Sequence, residues 1–203
     1  MERPFHVFDL DGTLVRGNSS FGFFFYLLRK RKLPWSAFFG AAYLFVLFRW
    51  GGMTVQRFHE RVFGLFLKGR ERGVFLGEVE GFLDEWLEQR VDEEVLASAV
   101  GERIILSSSP DFLVGPIARR LGIEEWAASE YGVDKEGLFC EISKVVDGEK
   151  KREVALEMAR GRSVHAYSDS EHDAPLLERA DLVCLVRPSR KLKRMAQQKG
   201  WLK

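Results

Sequence analysis

Cysteine is scarce: Cys140 and Cys184 are the only two in 203 residues. Two cysteines make neither a disulfide framework nor a zinc site. Both sit in short apolar stretches (138–140 and 182–186) that read as strand interiors, so buried thiols in a reducing, intracellular compartment are expected. Net charge is nearly absent, with 31 basic against 30 acidic residues. That balance removes any global electrostatic case for a nucleic-acid partner. No apolar run reaches the roughly 20 residues that a bilayer-spanning helix needs. The run over residues 37–48 would extend only about 18 Å as a helix. No signal peptide is expected, because an apolar strand is already under way at residue 5. The length suits one domain carrying a sizeable insertion.

Acidic residues are missing altogether between Gly12 and His59. That segment holds Arg16, Arg29, Lys30, Arg31, Lys32, Arg49 and Arg57, and 13 of the 26 aromatic residues. Asn18-Ser19-Ser20 can cap a helix over 21–28 that runs into the basic residues 29–32. Pro34 suits the first turn of a second helix over 35–50, which Gly51-Gly52 ends. The pair reads as a hairpin with an apolar body, a basic turn and aromatic ends. Such a hairpin suits a membrane interface with its basic cluster near anionic headgroups. It equally suits a helical cap whose aromatics pack on one another and on the core. Further helices are expected over 55–67, 75–89 and 92–100.

The richest string is Phe5-His6-Val7-Phe8-Asp9-Leu10-Asp11-Gly12-Thr13-Leu14. Residues 5–8 read as a buried strand that places Asp9 and Asp11 at its carboxyl end, where open α/β sheets bind ligands. Residues i and i+2 of an extended segment point the same way, so both carboxylates can face one pocket. Two carboxylates that close repel unless a cation sits between them, and Mg²⁺ is the natural oxygen-seeking choice. An Asx turn after a strand is the plainer alternative for a bare pair of aspartates. From residue 102 onward strands and helices alternate, which argues a parallel sheet with helices on both faces. The exception is an expected hairpin, 126–133 with 137–142, around Asp134-Lys135-Glu136-Gly137.

The string resembles the first motif of the haloacid dehalogenase superfamily of phosphotransferases, and three further motifs of that family follow in order. Arg103-Ile104-Ile105-Leu106 lead into Ser107. Gly148-Glu149-Lys150-Lys151 open a helical stretch. Val164-His165-Ala166-Tyr167 lead into Ser168-Asp169-Ser170-Glu171-His172-Asp173. The resemblance implies an α/β fold: a Rossmann-like core with a parallel sheet, formed by residues 1–15 and 101–203. A helical C1-type cap, residues 16–100, would be inserted after the first strand, with 21–50 open to membrane association. It implies a Mg²⁺-dependent phosphomonoesterase. Asp9 would be the nucleophile, forming an aspartyl-phosphate, and Asp11 the general acid and then base. Asp9 and Asp169 would hold the metal by side chain and Asp11 by its carbonyl, with Asp173 behind them supporting the metal's waters. Ser107 and a lysine would hold the phosphoryl oxygens. A Gly-x-x-Lys spacing favours Lys151 over its neighbour Lys150. Ser108, Ser109 and Ser170 read as turn or cap residues, His172 as an exposed side chain, and His6, His59 and His165 have no legible partner.

Two branches of the family compete. Phosphoserine phosphatases usually carry a Glu where Asn18 stands and Ser-Gly-Gly where this chain has Ser107-Ser108-Ser109. Both departures count against phosphoserine. The bacterial phosphatidylglycerophosphatase C type is resembled more widely, in the aromatic and basic stretch 21–48, in Ser109-Pro110-Asp111-Phe112 and in residues 167–177. That resemblance implies a lipid phosphate as substrate, met by a cytoplasmic protein at the inner face of the membrane. A soluble metabolite phosphatase and a non-catalytic membrane-binding or partner-binding scaffold remain the alternatives.

Overall fold

The computed structural model describes residues 3–201, except for the side chains of Arg49 and Trp50. Those two side chains, read above as part of the hairpin's basic and aromatic ends, lie outside the described residues, as do residues 1–2 and 202–203. The first strand, β1 (Phe5–Phe8), is buried along its whole length and sits in the middle of a six-stranded sheet. On one side lie β2 (Arg103–Pro110), β3 (Glu125–Val133) and β4 (Phe139–Lys144). On the other lie β5 (Val164–Ser168) and β6 (Leu182–Leu185). All pairings are parallel except β3 with β4. The sheet order therefore reverses direction at β1, the position where α/β sheets leave a crevice beyond the strand ends. The hairpin turn falls where expected, with Asp134 Oδ1 accepting the N–H groups of Glu136 and Leu138.

The two faces of β1 feed two cores, as a side-chain period of two requires. Phe5 and Val7 pack with Ile104, Leu106, Val164 and Ala166 under α7 (Gly148–Ala159), α8 (Ala174–Leu177) and α9 (Arg190–Lys199). Phe8 and Ile105 join the larger cluster with α6 (Asp111–Arg120) and the helices inserted between β1 and β2. Those helices are α1 (Ser19–Arg29), α2 (Ser36–Trp50), α3 (Val55–Phe66), α4 (Arg72–Trp86) and α5 (Glu93–Ala97). Asn18 caps α1 by accepting the Phe21 N–H at 2.9 Å. Phe23, Tyr26, Leu27 and Leu28 turn inward, and Phe23 meets Phe82 of α4 and Phe112 of α6.

Several sequence expectations are revised. α4 begins three residues before its apolar periodicity does. Arg72 donates to Asp111 Oδ2 (2.7 Å) and to the Tyr131 carbonyl (2.9 Å), and this tertiary anchor sets the helix start. α5 is a single short turn rather than a helix over 92–100. Cys140 is exposed, not buried, because it points outward from β4 while its neighbour Phe139 points into the core. The basic turn after α1 is largely offset: Arg29 and Lys30 pair with Glu85, and Lys32 with Glu78 at 2.9 Å. Among its described side chains α2 keeps only Leu44 fully buried, and it leaves Trp35 at its start, Phe39 and Tyr43 67%, 74% and 63% exposed. No helix among the described residues is long and apolar enough to cross a membrane.

Two seams tie the inserted helices to the sheet. At one, the α3–α4 turn is laced to the β3–β4 hairpin: Gly69 donates to the Phe139 carbonyl and Phe139 back to Arg70. At the other, Arg187 donates to the Gly12 and Thr13 carbonyls (2.9 and 2.8 Å) and pairs with Asp92.

Candidate active site

The carboxyl end of β1 delivers Asp9 into a cavity of about 440 Å³. The Asp9 N–H donates to the Tyr167 carbonyl at 3.0 Å, so the ladder to β5 holds this residue in register. Asp11, Ser107, Lys151, Asp169 and Asp173 line the same cavity. Every residue singled out from the motifs thus arrives in one place, from the ends of β1, β2 and β5 and the first turn of α7.

Lys151 is the centre of the charge arrangement. Its Nζ lies 2.6 Å from Asp9 Oδ1 and 2.8 Å from Asp173 Oδ1, and the side chain is almost wholly buried. Lys150 instead points to solvent and pairs with Glu153. Asp147 caps α7 by accepting the Lys150 N–H at 3.1 Å, which fixes the turn that carries Lys151 inward. Gly148 lets this turn lie directly on the acidic loop, since a Cβ there would stand 2.0 Å from the His172 carbonyl oxygen. The other oxygen of Asp173 accepts from Ser168 Oγ at 2.7 Å. Asp173 thus holds Lys151 with one oxygen and the end of β5 with the other. Gly12, at φ 84°, is required for a second close approach, because a Cβ there would stand 2.3 Å from Asp169 Oδ2.

Asp11 faces the inserted helices. Its Oδ1 accepts the Ser19 N–H at 2.6 Å, and its Oδ2 accepts Ser109 Oγ at 2.6 Å and Ser19 Oγ at 3.1 Å. Ser20 Oγ lies 2.8 Å from Ser109 Oγ, which extends the hydroxyl cluster. Ser107 Oγ accepts the Ser109 N–H at 3.1 Å. Ser19 and Ser109 were not distinguishable from ordinary cap and turn serines. Their only sequence signal was position, one at the start of the first inserted helix and one in the second motif. Ser170 does act as a turn residue, accepting the His172 N–H. His172 is exposed and stacks on Phe48 of α2, with ring centroids 5.9 Å apart.

The electrostatics follow from burial. Five carboxylates, Asp9, Asp11, Asp147, Asp169 and Asp173, share the cavity with one ammonium, that of Lys151. Burial raises the Asp9 carboxyl above its ordinary range, against the pull of Lys151 and with help from Asp173 and Asp169. Burial and the nearby Asp173 push Asp169 up to about 6. Burial also raises Asp11, while its hydrogen bonds from Ser109 and Ser19 oppose the rise. Lys151 is held protonated, because Asp173 and Asp9 outweigh its own burial. Among the described residues no three acidic, histidine or cysteine side chains close into a ready-made metal cage. Excess carboxylate with one or two side-chain oxygens free for a cation, the rest left to water and substrate, is nevertheless the donor chemistry that suits Mg²⁺.

The opposite wall of the cavity is apolar. Phe21, Phe24, Leu44, Phe45, Phe48 and Phe58 line it.

Comparison with known proteins points the same way. The haloacid dehalogenase-like hydrolase family profile matches residues 6–178. A protein of Mycobacterium tuberculosis named as a probable phosphatase is 28% identical over 214 residues, covering 96% of this chain and 72% of that one. The crystal structure of a protein of unknown function from Bordetella pertussis superposes with a TM-score of 0.85 at 23% identity, over 99% of this chain and 97% of that one. A phosphoserine phosphatase solved as a phospho-aspartyl intermediate analogue gives 0.65 at 17% identity, over 98% and 99%. At these identities the two structures speak to the fold.

Proposed function

The chain belongs to the haloacid dehalogenase-like hydrolases, and on that premise we propose that it hydrolyses phosphate monoesters through an aspartyl-phosphate on Asp9. The observation that carries this reading is the buried Lys151 ammonium 2.6 Å from Asp9, in one cavity with Ser107, Asp11 and Asp169. Asp9 attacks phosphorus and the bond to the leaving oxygen breaks. Asp11 gives that oxygen its proton. A water then attacks the aspartyl-phosphate, Asp11 takes up the water's proton, and inorganic phosphate leaves. Ser107 and Lys151 hold the phosphoryl oxygens, and Asp173 keeps Lys151 aimed at them. Mg²⁺, when bound, would be held by the Asp9 and Asp169 carboxylates and the Asp11 carbonyl, and would screen the repulsion between a carboxylate nucleophile and an anionic ester. Residues 16–100 act as the cap over this site, with residues 1–15 and 101–203 as the catalytic core.

The finer reading is a lipid phosphate, such as phosphatidylglycerophosphate, taken at a membrane surface. The aromatic cavity wall and the exposed aromatics of α2 support it, since Phe45 belongs to both. Because Arg29, Lys30 and Lys32 are paired with Glu85 and Glu78, this reading rests on the aromatic residues more than on Lys and Arg. The test is phosphate release by purified protein with Mg²⁺ from a lipid phosphate in micelles, from phosphoserine and from a panel of soluble esters. Release of phosphate from none of them refutes the phosphomonoesterase reading.

A further inference from the structure

One polar pair interrupts the apolar wall of the cavity. His59, on α3, is buried to 9% exposure, and its Nδ1 lies 2.6 Å from the hydroxyl of Tyr131 on β3. Both residues line the cavity that holds Asp9. Among the described residues no sealed polar side-chain atom lacks a partner, and Nδ1 is the ring nitrogen that Tyr131 occupies. Nε2 therefore keeps accessible surface, on a residue that lines the cavity. Burial pushes His59 down to about 4, so at neutral pH the ring is uncharged. The other inserted-helix residues of the wall include no Lys, Arg, Asp or Glu. Their remaining polar members are already engaged at the far end, Asn18 in capping α1 and Ser20 with Ser109.

We infer that His59, oriented by Tyr131, is a specificity-determining residue that hydrogen-bonds an uncharged oxygen on the alcohol part of the ester. The substrate class is then a phosphate monoester whose alcohol is largely apolar and carries a hydroxyl or ester oxygen. This inference rests on the phosphomonoesterase reading and narrows it. An alcohol such as serine would bring an ammonium and a carboxylate against a wall with no ion partner for either, and buried unpaired charge is expensive. A buried neutral imidazole is costly in an aromatic wall too, unless its free nitrogen is used when the cavity fills.

The experiment compares kcat/KM for octyl phosphate and for its β-hydroxy counterpart, with phosphoserine alongside, in the wild type and in His59→Phe, His59→Gln and Tyr131→Phe. The wild type should favour the hydroxylated ester by about tenfold, the size of one well-made hydrogen bond. His59→Phe should bring the ratio close to one, His59→Gln should restore part of it, and Tyr131→Phe should lower it. Because the readout is a ratio within one protein, a general loss of folded enzyme does not move it. An unchanged ratio in His59→Phe overturns the inference, as does a wild type that shows no preference or prefers phosphoserine. Hydrolysis without preference fails this inference alone. No hydrolysis of any ester by the wild type fails the phosphomonoesterase reading and this inference with it.

Discussion

Replacing His59 by Gln should change how stability depends on pH. The His59 pKa is about 4 in the folded chain against 6.5 for the free side chain, and the cause is burial. A group with a depressed folded pKa binds more protons in the unfolded chain between those two values. For a histidine this means that stability rises with pH across the window and is lost as pH falls through it. A shift from 6.5 to about 4 corresponds to roughly 3 kcal/mol when the window is fully crossed. About 2 kcal/mol of this should already be gone at pH 5. The buried carboxylates titrate in overlapping ranges with the opposite sign, since their folded pKa values are raised. The measurement is therefore a difference: urea unfolding of wild type and His59→Gln at pH 7 and at pH 5. The gap between the two proteins should shift by about 2 kcal/mol in favour of the variant on going to pH 5. A gap that stays constant across this range would refute the account of His59 as a buried neutral ring.

Four other outcomes are expected. Lys151→Met should cut kcat by about 10²–10³-fold, as for loss of one charge-stabilising donor, whereas Lys150→Met should leave steady-state turnover and the melting temperature unchanged; equal effects would remove the distinction drawn between the two lysines. Gly12→Ala drives a Cβ to within 2.3 Å of Asp169 Oδ2 at a φ of 84°, and should lower kcat/KM by about 10²-fold through misplacement of Asp169, which a side-by-side assay with wild type will read. Chelation of divalent cations should stop phosphate release, and Mg²⁺ should restore it; turnover that persists in excess chelator contradicts the proposed metal. Trp35→Ser with Phe39→Ser removes two of the exposed aromatics and should weaken co-sedimentation with phospholipid vesicles, and unchanged sedimentation would count against α2 as a membrane-facing helix.

The parts of this fold readable from sequence are those set by local pattern. β1 was legible because a short, mostly apolar run ends at two carboxylates, and the β3–β4 turn because Asp134 and Gly137 carry the chemistry of a turn. The convergence of Asp9, Ser107, Lys151 and Asp169 follows from the same logic, since each stands at or just beyond a strand or helix end that faces one edge of the sheet. What escaped was decided by partners distant in sequence. Arg72 starts α4 early because it reaches Asp111 and Tyr131. The basic turn looked free because Glu78 and Glu85 lie some fifty residues later, on α4. Cys140 sits in an apolar-looking string, but strand parity turns it outward. His59 and Tyr131 belong to different elements and to no motif, so nothing local could pair them. Ser109 had a motif beside it, yet its bond to Asp11 needed the bend at the end of β2.

The central claim is covalent chemistry at Asp9. The direct measurement is rapid quenching of the enzyme during turnover of a phosphate ester with Mg²⁺, followed by mass spectrometry of the peptide that contains Asp9. The account predicts that the mass of one phosphoryl group appears on that peptide and disappears as turnover ends, and that Asp9→Asn shows neither adduct nor phosphate release. Phosphate release by Asp9→Asn at the wild-type rate, or turnover that never loads Asp9, would contradict it.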